Sequence, residues 1–180
     1  MSILREEQFP EYSVPVKMNE IIYKPIGIIH TPYQNIQNMP IQPVAARGIP
    51  GTVEIFPEYA AGLKDIIGFS HIILIYHFHL SDGYRLEVKP FLDDDTHGLF
   101  ATRAPNRPNQ IGLSVVKLIK LIDNIIHIEN VDIVDGTPLL DIKPFVPDFN
   151  DAKDVKIGWL LKSKKDFSIK KSDDRFDVDF

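Results

Sequence analysis

The stretch "FSHIILIYHFH", residues 69 to 79, is almost continuously apolar and rich in β-branched side chains. Such a run predicts a central β-strand covered on both faces, because isoleucines fit a pleated surface that has neighbours above and below it. Gly68 lies just before it, and Ser81, Asp82 and Gly83 end it with residues that favour turns.

The same texture recurs on either side. "IIYKPIGIIH" (21–30), "TVEIF" (52–56), "YRLEVK" (84–89), "GLFATR" (98–103), "GLSVVKLIKLI" (112–122), "IIHIENVDIV" (125–134), "LLDIKPF" (139–145) and "KIGWLL" (156–161) read as further strands. Asp123 and Asn124 predict a two-residue hairpin turn between two of them. Only "YAAGLKDII" (59–67) has helical spacing, with Ala60, Leu63 and Ile67 on one side, Pro57 before the start and Gly68 past the end. Many short strands with one or few short helices predict a mainly β fold, a single antiparallel β-barrel-like domain whose closure removes exposed edges. Because the strands do not alternate with helices, a doubly wound sheet is disfavoured.

The chain divides into an N-terminal arm (1–20), a barrel domain (21–161) and a charged C-terminal tail (162–180), expected to be solvated or weakly docked. Between Thr31 and Gly51 runs a stretch with Pro32, Pro40, Pro43, Gly48 and Pro50. It is too long for a plain connection and is therefore expected to have a function.

With 180 residues, 44% apolar and 25% charged, the chain has the composition of one globular domain. A formal charge of -5 argues against an indiscriminate nucleic-acid binder, so a polyanionic partner would have to meet a local patch. The absence of cysteine excludes disulfides, thiolate metal sites and a cysteine nucleophile. "MSILREEQFPEYSVP" lacks the apolar core of a signal peptide, and no run approaches the roughly 18 apolar residues of a membrane helix, so a cytoplasmic location is expected.

Several stretches could carry chemistry. His77 and His79 are two apart, the spacing that puts two imidazoles on one face of a strand. A metal-binding barrel would add a carboxylate about four residues on, whereas Glu87 is eight residues past His79; no metal is expected, and the histidines read as core or ligand contacts. "DDDTH" (93–97) reads as a solvated acidic loop, since consecutive side chains of an extended loop diverge. No G-x-S-x-G elbow, Walker sequence or G-x-G-x-x-G is present.

In "HGLFATRAPNRPNQIGLS" (97–114), Pro105 and Pro108 stiffen a turn that carries Arg103, Asn106, Arg107 and Asn109. Guanidiniums there suit a carboxylate or phosphate, and the alternative is an ordinary surface loop. In "VDIVDGTPLLDIKPFVPD" (131–148), Asp132 and Asp135 suit hydroxyls or an ammonium, and the alternative is a turn at a strand end.

Together, "IGIIHTPY" (26–33), "FSHIILIYHFH", "HGLFATRAPNRPNQIGLS" and "VDIVDGTPLLDIKPFVPD", in this order, resemble the TrmO (TsaA-like) family of tRNA methyltransferases over roughly residues 22–148. The resemblance implies S-adenosyl-L-methionine as cofactor, tRNA as partner, a homodimer with sites near the subunit interface, and methyl transfer to N6 of threonylcarbamoyladenosine beside the anticodon. It implies cofactor contacts at Pro40, Ile41 and Gln42, at His79 and Leu80, at Arg103, at Leu113, and at Asp132, Ile133, Val134 and Asp135. Arg107 and Asn109 are then expected to face the RNA substrate, and no general base is identified.

Two departures stand out. Ile41 stands where bacterial relatives have a basic residue, and Gln110 follows Asn109 where the family usually has proline, which is expected to loosen the loop. Two rival readings remain: a non-catalytic nucleotide- or RNA-binding barrel, and a metal-dependent barrel enzyme built on His77 and His79.

Overall fold

The computed structural model describes residues 21–150, 155–162, 171–173 and 176. The expected N-terminal arm lies outside the described residues.

Six strands close into a barrel: β1 (Gly27–His30), β2 (Pro50–Ile55), β3 (His71–His77), β6 (Ile111–Ile122), β7 (Ile125–Glu129) and β8 (Thr137–Pro144), in the order β1-β2-β7-β6-β3-β8. All neighbours run antiparallel. A separate two-stranded ladder joins β4 (Glu87–Val88) to β5 (His97–Gly98). The expected antiparallel barrel is the fold observed.

Strand β3 alternates buried Ile72, Leu74 and Tyr76 with half-buried Ile73, Ile75 and His77. It is therefore covered on one face rather than both, because a closed barrel gives every strand one interior face and one outer face. Strand β6 follows the same rule, turning Gly112, Ser114, Val116 and Leu118 inward while Leu113, Lys117 and Ile119 face out. Inward-facing Ile29, Val53, Ile55, Ile126, Ile128 and Leu139 complete the core. Each such side chain contributes about 1.5–3 kcal/mol when fully buried, so the interior dominates the stability of the domain. The Asp123–Asn124 hairpin forms as expected, with Ile122 opposite Ile125 and Asp123 at φ 53°.

Other elements differ from expectation. The segment 59–67 is not an α-helix but two 3₁₀ stretches, Pro57–Leu63 and Ile66–Gly68, interrupted by Asp65 at φ 65°. Nine residues barely repay the cost of nucleating a helix, and in the first stretch only Leu63 is buried. "YRLEVK" and "GLFATR" contribute two ladder residues each at most; Leu99–Ala101 is a 3₁₀ turn, as is Gly158–Leu161 within "KIGWLL". Here Val88, Leu99 and Ala104 bury against one another and Phe176, outside the barrel, so they need no long pairing. Strand β7 stops at Glu129 because Asn130 takes φ 69°, which turns residues 131–134 out of the ladder.

The pairing places β1, β3 and β7 with their C-terminal ends beside the starts of β2, β6 and β8. The three long connections, residues 31–49, 78–110 and 130–136, therefore all leave from one mouth of the barrel. Barrel mouths are common ligand sites.

The tail is docked where it is described. Lys171 forms a bridge with Pro40, Ser172 N–H donates to the Met39 carbonyl (2.9 Å), and the Met39 N–H donates to Ser172 Oγ (3.0 Å). Ser172 and Phe176 are buried, and the Phe176 ring meets Phe91 edge to face at 5.0 Å. Of the two expectations for the tail, docking holds at these residues, where apolar Phe176 has a partner cluster that the sequence did not reveal.

Candidate functional site

At this mouth lies a cleft of about 910 Å³. Its floor carries a directed chain of hydrogen bonds. Ser114 Oγ donates to Asp132 Oδ1 (2.7 Å), and the Tyr76 hydroxyl lies 3.1 Å from Ser114 Oγ. Ser114 has one proton and commits it to Asp132, so Tyr76 donates to Ser114. Tyr76 and Ser114 come from adjacent strands and face inward, whereas Asp132 hangs from the segment that left the ladder after β7.

Burial pushes the Asp132 carboxyl up to about 6, opposed by the Ser114 hydrogen bond and by the charge of Arg103. Burial thus makes it much more basic than an ordinary aspartate. Burial, and then the Asp132 charge, raises the Tyr76 phenol, so Tyr76 stays a donor.

Pro40, Ile41, Gln42, His79, Leu80, Arg103, Leu113, Asp132, Ile133 and Val134 all line this one cleft. They are drawn from separate connections and from strand β6. Arg103 Nη1 donates to Gln42 Oε1 (3.3 Å), joining the proline-stiffened turn to the long 31–49 loop. Thr137 Oγ1 donates to the Val134 carbonyl (2.7 Å) and lies 3.3 Å from His79 Nδ1. His79 must therefore donate from Nδ1, which leaves Nε2 as an acceptor. Burial, then the neighbouring His77, lowers the His79 pKa and favours this neutral form.

Two of the sequence-predicted residues lie outside the lining. Asp135 accepts the Thr31 N–H (3.0 Å) and sits 3.5 Å from His30 Nδ1, fastening β1 to the start of β8. Asn109 is exposed, and its carbonyl accepts the Ile111 N–H (2.8 Å). Arg107 does line the cleft, but its Nη1 donates to the Thr102 and Ala104 carbonyls (3.1 and 3.3 Å) and its guanidinium lies 5.9 Å from the Phe100 ring centre. Its visible work is to hold its own loop.

Gln110 does not loosen the turn as expected. Its Nε2 donates to the Ser81 carbonyl (3.0 Å) and its own carbonyl accepts the Phe78 N–H (2.8 Å), tying the turn to the end of β3. The strand ends at His77, and the His79 N–H bonds the His77 carbonyl (2.9 Å), so the two imidazoles do not share one strand face. Among the described residues no three His, Asp or Glu side chains gather as a ligand set.

Ser114 and Tyr76 were missed by sequence reasoning. The available signal was phase: Ser114 is the polar residue at an inward position of "GLSVVKL", in step with Val116 and Leu118.

The TrmO N-terminal domain model, described as the tRNA-methyltransferase O N-terminal domain, matches residues 28–151. A Pyrococcus abyssi protein named "Probable S-adenosyl-L-methionine-binding protein" is 55% identical over 156 residues, 87% of this chain and 85% of that one. The Escherichia coli protein named tRNA (adenine(37)-N6)-methyltransferase is 33% identical over 79% of this chain and 65% of its own length. The crystal structure of TrmO from Pseudomonas aeruginosa superposes with a TM-score of 0.65 at 33% identity, covering 78% of this chain and 62% of that chain. The chain thus spans somewhat under two thirds of those two bacterial proteins and most of the archaeal one. With the barrel, the cleft at its mouth and a family match over residues 28–151, the protein belongs to the TrmO N-terminal domain family.

Proposed function

We propose that this protein transfers a methyl group from S-adenosyl-L-methionine to N6 of an adenine in tRNA, and that the adenine is threonylcarbamoyladenosine beside the anticodon. The observation that carries this reading is the Tyr76–Ser114–Asp132 chain, which delivers an unusually basic carboxylate into a cleft walled by residues of the resemblance.

The cleft fits the cofactor's chemistry. Leu80, Leu113, Ile133 and Val134 offer apolar walls for a base and a ribose face, Arg103 suits a carboxylate, and the neutral His79 supplies an acceptor nitrogen. Ile41, lacking a charge, leaves Arg103 to supply the cationic contact from this side. The sulfonium supplies an activated methyl carbon.

The protein's part is alignment and proton removal. Holding acceptor nitrogen and methyl carbon at about 3 Å in line accounts for much of the rate. The carbamoylated N6 is a weak nucleophile that still bears one hydrogen. As the N6–carbon bond forms and the carbon–sulfur bond breaks, that hydrogen passes as a proton to Asp132. Ser114 and Tyr76 hold the carboxylate in place to receive it. A homodimer is supported by exposed apolar Phe100 and Ile111 next to the cleft, and a cytoplasmic location by the tRNA acceptor.

Radiolabelled S-adenosyl-L-methionine, incubated with the protein and with tRNA carrying or lacking the threonylcarbamoyl group, tests the reading. Label is expected only in the modified tRNA. Label in both removes the threonylcarbamoyl requirement, and cofactor binding without transfer to any RNA favours a non-catalytic nucleotide- or RNA-binding barrel.

A further inference from the structure

The cleft has a second wall that the cofactor contacts leave unused. Phe91, Trp159, Leu160 and Phe176 also line the cleft, and they come from the β4–β5 connection and the C-terminal segment. At about 910 Å³ the cleft lies near the top of the range for small-ligand sites, roughly 300–1,000 Å³. Methyl transfer needs the acceptor ring in the same cleft as the methyl donor, and an RNA base reaches such a site only by leaving its stack.

Trp159 is held unusually well for a residue in a short 3₁₀ turn. Its Nε1–H donates to the Ala101 carbonyl (2.9 Å), and its ring stacks on His97 at 4.3 Å between centres with planes 16° apart. His97 Nε2 in turn meets Asp93 Oδ2 at 3.1 Å, while Asp93 Oδ1 accepts the N–H groups of Asp94 (2.7 Å) and Asp95 (3.2 Å). In "DDDTH", Asp94, Asp95 and Thr96 are exposed as expected of a solvated acidic loop, while Asp93 and His97, each only 17% exposed in their side chains, found an indole support.

We propose, building on the methyltransferase reading, that Trp159 is the stacking platform for the flipped acceptor base, a purine of single-stranded or loop RNA, and that Asp93 and His97 position it. An indole fixed by a hydrogen bond and a stacked imidazole has little freedom left to lose when a base settles on it. The aromatic and apolar wall then receives the acceptor, and the Arg103–Asp132 wall the cofactor.

Trp159 is the only tryptophan in the 180 residues, so its fluorescence reports on this subsite alone. An anticodon stem-loop carrying the modified adenosine, added to protein saturated with S-adenosylhomocysteine, is expected to quench the emission, with S-adenosylhomocysteine alone causing little change. Trp159→Leu is expected to weaken stem-loop binding about tenfold, with partial recovery in Trp159→Phe, while cofactor affinity by calorimetry stays within about twofold of the parent. Unchanged stem-loop affinity in Trp159→Leu, or an equal loss of cofactor affinity, overturns the proposal. Quenching and the affinity loss without methyl transfer would uphold the base subsite and overturn the transferase reading instead.

Discussion

The two walls of the cleft are built by different means. The barrel wall places Tyr76 and Ser114 on neighbouring strands, where Tyr76 has a partner in both β6 and β8 and Ser114 pairs with β3. The facing wall is carried on loops and held by side-chain contacts: the Trp159 bond to Ala101, its stack on His97, and the edge-to-face meeting of Phe176 with Phe91. Asp132, which takes the proton, comes from the 130–136 connection, and Ser114 and Tyr76 on the strands are what fix its position. Groups that recognise a large RNA can be carried by segments that adjust and diverge.

The sharpest way to break this comparison is at Asp132. Asp132→Asn is expected to lower the rate of methyl transfer by about 10²-fold or more, the usual contribution of a positioned general base. In the parent, kcat/KM should rise with pH through about 6 as the carboxylate forms, and the variant should lose that limb. The stability effect has the opposite sign. With its folded pKa raised from 3.8 to about 6, Asp132 binds its proton more tightly in the native state, so its ionisation costs stability as pH rises through that window. The variant should therefore melt at neutral pH no lower than the parent. A rate within threefold of the parent would remove Asp132 from the reaction.

A second test attacks the rigidity of the same wall without touching a polar group. Gly112 is paired with Tyr76, and a Cβ there would overlap the tyrosine ring and come within 2.9 Å of Phe78 Cζ. Gly112→Ala is expected to cost about 1–3 kcal/mol by overpacking and to slow transfer roughly tenfold by pushing the Tyr76 hydroxyl away from Ser114. A parent-like melting temperature and rate would show that the wall yields more easily than its ladder suggests.

The two walls were also unequally legible in the sequence. The barrel was, because many short β-branched runs with few helical stretches argue for a closed antiparallel sheet, although β3 reads as continuously apolar and its one-sided burial came from closure. Local propensity failed where tertiary contacts decide: 59–67 has helical spacing but too little to bury, and Val88, Leu99 and Ala104 are apolar for the sake of a small cluster, not a long strand. The family motifs led to residues that line one cleft, although Asp135 and Asn109 stand outside it. Neither the relay nor the indole support was visible, because Tyr76 and Ser114 are 38 residues apart and Trp159 is 58 residues from Ala101. The sequence left the tail between solvated and weakly docked for a similar reason: Lys and Asp around Ser172 and Phe176 suggest solvent, and the buried Ser172 and Phe176 are separated by charged neighbours.

The smallest expected effect is also the most selective between the walls. Ser172 accepts the Met39 N–H at 3.0 Å and donates its own proton to the Ile36 carbonyl, so one hydroxyl serves two groups of the 31–49 loop. Ser172→Ala leaves both to find other partners, at a cost of about 1 kcal/mol that is local to this contact. The Met39 amide should then exchange with solvent several-fold faster, while amides of β3 and β6 keep their protection. Since Met39 adjoins the cofactor contacts Pro40, Ile41 and Gln42, KM for S-adenosyl-L-methionine should rise a few-fold with the saturated rate unchanged. A loss of that saturated rate instead would mean that the 31–49 loop reaches the reacting atoms. The division of labour between the rigid and adjustable halves of the cleft would then be wrong.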